Sequence, residues 1–479
     1  MNNLIKHISV LLMLGGFFAN STFAQQNIKR ADDTPLKLTL HDALQIAVSD
    51  NPTVRVAEQE VKKTTYAKNK AWAALFPKVD LNGNYSYTIK KQKMYFGGMK
   101  FPGMGGSPGG NGGNNDQNSS ANNAIAIEVG VRHSIQTGIQ AGMPLIAPQL
   151  WSSLSINAAE VELAKEKSRG SKVDMTAEVR KAYYTALLAN EAYCVYRQSY
   201  DNAQENYRQI KEKYERGLVA QYDLLRTEVQ MKNIEPNVVQ AELSIKLAEK
   251  QLKLLMDVDL EKPVELTDSL AVYSRQIYQD YMQPVDTLLV ENSTLKQIEL
   301  QGKQMAAVVQ TSKMAFLPTL SLGFVFNYNY MGDELKLSND KQWSPYSMVN
   351  LTLSIPIFNG GARLNDVKMQ KAGQRQLELN RHLITRQMKL AVQNQHDQLT
   401  NATKRYIAAK EAVVSAEKGY QIAEMRYKTG ESTLVELNDA DLALLQARLN
   451  YNQAIYDFMM AKADLDKLSG YVATSDNVE

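Results

Sequence analysis

The stretch Val392–Tyr427 reads VQNQHDQLTNATKRYIAAKEAVVSAEKGYQIAEMRY. Steps of alternately three and four residues select one face of it, and ten of the eleven positions on that face are apolar: Val392, Gln395, Leu399, Ala402, Tyr406, Ala409, Val413, Ala416, Tyr420, Ala423 and Tyr427. A seven-residue apolar repeat of this length is typical of a helix that winds against a neighbouring helix. The stretch therefore predicts a long coiled-coil helix.

The same apolar face occurs a second time, 213 residues earlier in the chain. Its positions are Val179, Ala182, Ala186, Ala189, Tyr193, Tyr196, Tyr200, Ala203, Tyr207, Ile210 and Tyr214. Other landmarks recur as well, since Asn51 and Pro77 have counterparts in Asn292 and Pro318. The chain is therefore predicted to be one architecture built twice, and not a set of unrelated domains.

Four segments alternate between apolar and polar residues with a period of two, which predicts amphipathic strands at 79–90, 125–143, 319–330 and 346–355. Long helices are predicted at 149–214 and 360–427, with return helices at 221–256 and 433–468. The predicted organisation is a first repeat at 25–257, a small linking segment at 258–285, a second repeat at 286–470 and a tail at 471–479.

The first 24 residues have the pattern of a secretory signal peptide. Lys6 precedes an apolar run from Ile8 to Ala19, and Thr22-Phe23-Ala24 fits a small-residue cleavage site. The remaining chain has no apolar stretch of 18 residues, so a transmembrane helix is not expected. The protein is predicted to be exported, with any membrane insertion made by strands.

Composition excludes several functional classes. The formal net charge is +3, and no basic tract interleaved with aromatic residues suggests nucleic-acid binding. The histidines are scattered and no nucleotide-binding, zinc-protease or serine-hydrolase motif is present, so no catalytic, cofactor or metal site is expected. Cys194 is the sole cysteine, which leaves no intrachain disulfide.

The strands have a consequence for assembly. Their apolar and polar faces suit a barrel with lipid outside and water inside. Four strands cannot close such a barrel, and an unpaired strand edge is very costly in hydrocarbon. Several copies of the chain are therefore expected to share one barrel.

With these features the chain resembles the TolC family of outer-membrane efflux and secretion channels. The resemblance covers 39–470 and includes the duplicated element order, the prolines at Pro77, Pro144, Pro318 and Pro356, and the hairpin tips at 214–220 and 427–430. It implies a mainly α fold with a membrane β component. Each protomer would be an internally duplicated long-helix part of an α-barrel and would contribute four strands to a trimeric 12-stranded β-barrel.

The resemblance also implies the partners and the location. It points to a homotrimer embedded in outer-membrane lipid, with a long periplasmic extension. A periplasmic adaptor protein and an inner-membrane transporter would open this passive conduit for efflux or type I secretion. The alternative function is a periplasmic coiled-coil scaffold or adaptor without channel activity.

The same resemblance places a gate at the helical tips. Glu436 and Asp439 match acidic aperture positions, with two solvated surface acids as the alternative. Tyr427 and Asp223 match a pair that ties the hairpins by a hydrogen bond, with plain packing of Tyr427 as the alternative. Ser432 stands where the family often has arginine, which predicts a weaker closed state or a clamp built from other residues.

The tips themselves match the family's adaptor-docking region. The residues concerned are Gly217, Leu218, Val219, Ala220, Thr429 and Gly430. A helix cap with its hydrophobic contact is the plainer interpretation, and it is compatible with docking.

Overall fold

The computed structural model describes residues 35–96, 125–275, 277, 289–337 and 342–470. The predicted signal peptide at 1–24 and the predicted tail at 471–479 lie outside the described residues, as does most of the glycine-rich segment between the first two predicted strands.

Helices dominate the described chain. They are α1 (Leu40–Asp50), α2 (Pro52–Ala73), α3 (Pro148–Glu215), α4 (Gln221–Met256), α5 (Leu270–Ser274), α6 (Ser293–Met314), α7 (Ala362–Thr429) and α8 (Leu434–Ser469). The long helices α3 and α7 have 68 residues each, which corresponds to a length of about 100 Å. Within the described residues, no helix is apolar enough over sufficient length to cross a membrane.

The strands are β1 (Leu36–Leu38), β2 (Lys78–Tyr87), β3 (Gln92–Phe96), β4 (Ile125–Val129), β5 (His133–Ile146), β6 (Val264–Leu266), β7 (Thr319–Gly332) and β8 (Trp343–Ser354). The main sheet is antiparallel with the order β2-β5-β7-β8, so β2 and β8 are its edges. The prediction of one strand at 125–143 was wrong. Gly130 has a φ of 106° and separates β4, which pairs with β3, from β5, which pairs with β2.

The main sheet has one apolar and one polar face. Leu322 lies opposite Leu351 on the apolar face, and these side chains are exposed in the single chain. On the polar face, Gly138 lies opposite Asn327, and a β-carbon at this glycine would overlap the asparagine side chain. The absence of a side chain at Gly138 therefore gives the amide the space it occupies.

The apolar core lies where both repeats meet, midway along the long helices. It includes residues of α1, α3, α4, α5, α7 and α8, among them the fully buried Phe458 and Tyr183. The Tyr183 hydroxyl donates to Asp268 Oδ2 at 2.8 Å, and the Tyr273 hydroxyl donates to the same oxygen at 2.9 Å. Burial raises the pKa of Tyr183, so the phenol remains a hydrogen-bond donor at physiological pH.

The duplication extends to individual hydrogen bonds. Asn51 Nδ2 donates to the carbonyl of Leu255 at 2.7 Å, and Asn292 Nδ2 donates to the carbonyl of Leu468 at 2.8 Å. The Oδ1 of each asparagine caps the helix that begins beside it. In each repeat, one buried asparagine thus ties the start of a short helix to the end of the return helix.

The helices form two open rows. Near the sheet the order is α2-α3-α6-α7, and toward the tips it is α4-α3-α8-α7. Among the described helices, no extensive contact links α7 back to α2 or α4. Each row therefore ends in helices that have a neighbour on one side only.

Candidate functional site

The first helical hairpin, formed by α3 and α4, ends in a tight turn. Gly217 has a φ of 71°, its N–H donates to the carbonyl of Tyr214 at 2.8 Å, and the N–H of Leu218 donates to that of Lys213 at 2.9 Å. This is the Schellman pattern of a helix C-terminus, in which glycine takes the left-handed conformation without strain.

The second helical hairpin, formed by α7 and α8, ends in the same geometry. Gly430 has a φ of 81°, its N–H donates to the carbonyl of Tyr427 at 3.2 Å, and the N–H of Glu431 donates to that of Arg426 at 2.8 Å. The two tips of one chain are therefore equivalent turns, as the internal repeat predicts.

The turns present small and apolar side chains to solvent. Leu218 is 69% exposed, Val219 is half-buried, and Ala220 is exposed at the start of α4, where it provides no side-chain cap. At the second tip the hydroxyl of Thr429 donates to the carbonyl of Arg426 at 3.0 Å. Leu218 thus presents an apolar surface to solvent at the first tip.

The two predicted aperture acids lie in the first turns of α8. Thr433 Oγ1 accepts from the backbone N–H of Glu436 at 3.3 Å, which places this glutamate at the helix N-terminus. Glu436 and Asp439 are both exposed and follow each other by three residues on one helical face. Their carboxylates are thus presented together at the tip of the second hairpin.

Arg426 is a site residue that the sequence analysis missed. Its Nη1 lies 3.8 Å from Glu436 Oε2, and its Nη2 donates to the carbonyl of Glu431 at 3.1 Å. The same carboxylate oxygen of Glu436 accepts from the hydroxyl of Ser432 at 2.6 Å. The guanidinium of Arg426, at the end of α7, therefore lies beside Glu436, although position 432 holds a serine instead of an arginine. Its signal in the sequence was a basic residue in the last turn of a helix.

Tyr427 connects the second tip to the first. Its ring is half-buried, and Lys213 Nζ lies 5.2 Å from the ring centroid. Burial raises the pKa of the Tyr427 phenol, and the nearby Asp223 carboxylate raises it further. Within the described residues no hydrogen bond joins Tyr427 to Asp223, so Asp223 acts as a charged neighbour here. Lys213 was not among the site residues predicted from the sequence.

Comparison with known proteins gives the class. The sequence profile described as outer membrane efflux protein matches residues 43–257 and 285–471. The outer membrane protein TolC of Vibrio cholerae serotype O1 is 21% identical over 336 residues, which cover 68% of this chain and 74% of that protein. The alkaline protease secretion protein AprF of Pseudomonas aeruginosa is 22% identical over 70% of this chain and 69% of its own length.

A solved structure has the same fold. The open state of the Neisseria gonorrhoeae MtrE outer membrane channel superimposes with a TM-score of 0.70 at 18% identity, covering 92% of this chain and 91% of that one. Fold and sequence together define an outer-membrane channel protein that is mainly helical and has a four-stranded main sheet. The chain belongs to the outer membrane efflux protein family. It is an exit duct for efflux or type I secretion in the outer membrane, and its long helices extend into the periplasm.

Proposed function

We propose that three copies of this chain form one continuous tube, closed by a gate at the helical tips. The observation that carries the proposal is the open main sheet, whose edges β2 and β8 are both unpaired in the described chain. The four strands alternate in direction, so β8 of one copy runs antiparallel to β2 of a copy related by rotation. Edge pairing between identical copies leaves no open edge in hydrocarbon.

The helical part supports the same assembly. Its two rows end at α7 on one side and at α2 and α4 on the other, and exposed apolar residues such as Leu247 of α4 and Met425 of α7 lie on these end helices. Contact between α7 of one copy and α2 and α4 of the next is head-to-tail, which closes into a ring when the rotation is one third of a turn. The scaffold alternative does not account for the four-stranded sheet.

In the trimer the second tips would surround the axis, and Glu436 and Asp439 would form stacked carboxylate rings. Rings of carboxylates attract cations and make a pore selective for them. Tyr427, Asp223 and Lys213 would hold this hairpin against the first one, and Arg426 and Ser432 would fix the Glu436 side chain. In this proposal Arg426 takes the place of the arginine that the family often has at the position of Ser432.

We expect the double variant Glu436→Gln/Asp439→Asn to lose cation selectivity. Purified trimers are measured in planar lipid bilayers under a KCl gradient. The wild type favours K⁺, whereas the variant shifts the reversal potential to near zero and raises single-channel conductance, because both carboxylate rings are neutral. The control Glu235→Gln/Glu242→Gln removes the same number of charges from the exposed surface of α4. A double gate variant as cation-selective as the wild type would refute the ring.

The partners proposed for this duct are a periplasmic adaptor and an inner-membrane transporter. The basis is the first tip, which presents the exposed Leu218 and the half-buried Val219, and the equivalent turn at the second tip. Both lie at the end of the chain's helical part that is remote from the sheet. A helical partner that approaches from the inner membrane would meet this end first.

A photo-reactive amino acid at position 219 is expected to capture the adaptor in intact cells. The control position is Glu242, an exposed polar residue on α4 about six helical turns from the tip. Mass spectrometry of the crosslinked species identifies the partner. Equal capture from both positions, or capture from 242 alone, would contradict docking at the tip.

A further inference from the structure

The first and second hairpins are joined in two different ways along their length. Midway along the long helices, the apolar core contains residues of both hairpins and reaches Leu188 of α3, Ala409 of α7 and Tyr451 of α8. On the tip side of these residues, the next cluster of buried apolar residues in the described chain belongs to α3 and α4 alone. On that side α8 still buries apolar residues such as Leu437 and Leu444, and a buried polar group lies between them at the joint of the two hairpins.

The centre of that joint is Asp441, a buried carboxylate on α8 with 5% exposure. The hydroxyl of Ser199 on α3 donates to its Oδ2 at 3.3 Å, and the side chain of Asn202, also on α3, lies near the same carboxylate and lowers its pKa. Two groups of the first hairpin thus surround one acid of the second. An acid at this depth needs such partners, because burial of an ionised carboxylate without them is very costly.

Arg448, two turns further along α8, extends the joint to a third helix. Its Nη1 donates to Gln198 Oε1 of α3 at 2.5 Å, and its Nη2 donates to Glu417 Oε1 of α7 at 2.9 Å. We call Gln198, Ser199, Asn202, Asp441 and Arg448 the polar joint. It spans the interface that must change if the second hairpin moves relative to the first.

A buried acceptor without a donor lies next to the polar joint. Asn438 is buried one turn before Asp441, and its Oδ1 has no hydrogen-bond partner. A buried acceptor without a donor costs about 1–3 kcal/mol. A protonated Asp441 carboxyl is a donor on the same face of the helix, whereas the ionised carboxylate only accepts. The neutral form of Asp441 would therefore supply a donor beside this acceptor that the charged form lacks.

The electrostatics agree with this geometry. Burial raises the pKa of Asp441, against the opposing effects of Asn202, Ser199 and the Arg448 charge. On α7 the facing group is Tyr420, whose pKa is raised by its own burial and then by the Asp441 charge. When the hairpins separate, Asp441 becomes hydrated and its pKa returns toward the ordinary value. The proton is thus bound more tightly by the closed arrangement than by the open one.

We propose that Asp441 is a positioning residue of the gate, which holds the second hairpin against the first while it carries a proton and releases it when the proton is lost to water. This inference rests on the proposed gate at the tips. Its sign follows from the linkage. The contribution to the closed state is fully present below the ordinary pKa of an aspartate and is lost as the pH rises through the raised pKa. Each unit of displacement changes the closed-to-open ratio by about tenfold per protomer.

The test measures open probability in planar bilayers between about pH 4 and pH 8, a range that spans the ordinary pKa of an aspartate and the higher values that burial produces. The measurement is made on the double variant Glu436→Gln/Asp439→Asn, called the background, so that titration of the aperture acids does not contribute to the pH response. Open probability is expected to fall on acidification. Adding Asp441→Asn, which keeps the shape but is always neutral, is expected to remove the pH response and hold the low open probability at pH 7.

Two further variants separate this role from a purely structural one. Ser199→Ala removes a donor that stabilises the charged carboxylate, so the midpoint of the pH response is expected to move to higher pH. Asp457→Asn makes the same substitution on α8 at an acid that pairs with Gln453 and Arg405, and it is expected to leave the midpoint unchanged.

The outcomes are distinct. An unchanged pH response with Asp441→Asn, a midpoint that moves to lower pH with Ser199→Ala, or no pH response in the background overturns the role of Asp441 and leaves the channel and its aperture intact. A background trimer that carries no current at any pH refutes the proposed function itself. If Asp441→Asn does not assemble as a trimer on an unheated gel, the Ser199→Ala midpoint alone decides.

Discussion

Leu351→Arg is expected to prevent assembly of the channel in the outer membrane. Leu351 lies in the edge strand β8, opposite Leu322, and its side chain is 63% exposed in the single chain on the apolar face of the sheet. An arginine on the lipid face of a barrel costs about 2–4 kcal/mol near the middle of the bilayer. The penalty applies to every copy, so a trimer loses about 6–12 kcal/mol. Fractionation and an unheated gel would show little or no membrane-embedded trimer.

The next residue along the strand gives the matched control. Thr352 lies opposite Ser321 on the polar face, so Thr352→Arg places the same side chain in the predicted water-filled interior. This variant is expected to assemble and to change conductance only. If Leu351→Arg assembles as well as Thr352→Arg, the assignment of the apolar face to lipid is wrong.

Phe458→Ala is expected to cause the largest loss of stability in the helical part. Phe458 is fully buried on α8 in the apolar core that joins the two repeats. Truncation of a buried phenylalanine to alanine removes its contacts and leaves a cavity, at a cost of about 3–5 kcal/mol. The measurement is denaturant-induced loss of helical signal from the detergent-solubilised protein.

A smaller truncation at the same site provides the control. Phe458→Leu keeps most of the apolar volume, so its loss is expected to be about 1–2 kcal/mol. If both variants lose the same amount, and that amount is below about 1 kcal/mol, the core does not hold the two repeats together.

Much of the architecture was predictable because it is periodic. The heptad face of Val392–Tyr427 predicted the helix now described as α7, and its copy around Val179–Tyr214 predicted α3. The predicted span 360–427 differs from the observed helix by two residues at each end. The mainly α, internally duplicated fold class was confirmed by the structure and by the solved channels that share it.

Other features have no periodic signal. Strands β1 and β6 are three residues long and pair in parallel although they lie more than 220 residues apart, so no local pattern could connect them. Gly130 looked like part of a continuous strand, and only its positive φ shows the break.

The candidate site shows the same limit. Its tip glycines followed from local turn chemistry, whereas the contribution of Arg426 depends on how the chain turns back after α7. The cation–π contact of Lys213 with Tyr427 requires two helices that lie far apart in sequence to meet. In the sequence Asp441 looks like an ordinary surface acid, and its burial depends on packing against α3. The gate assignments at Glu436, Asp439, Tyr427 and Asp223 remain predictions.

One measurement tests the central claim directly, namely that identical copies must share their strands to complete one barrel. The mature protein is extracted from membranes, its mass is determined by native mass spectrometry in detergent, and the same sample is added to a planar bilayer. We expect a trimer that requires detergent and carries current. A monomer that stays in solution without detergent and carries no current would contradict the account.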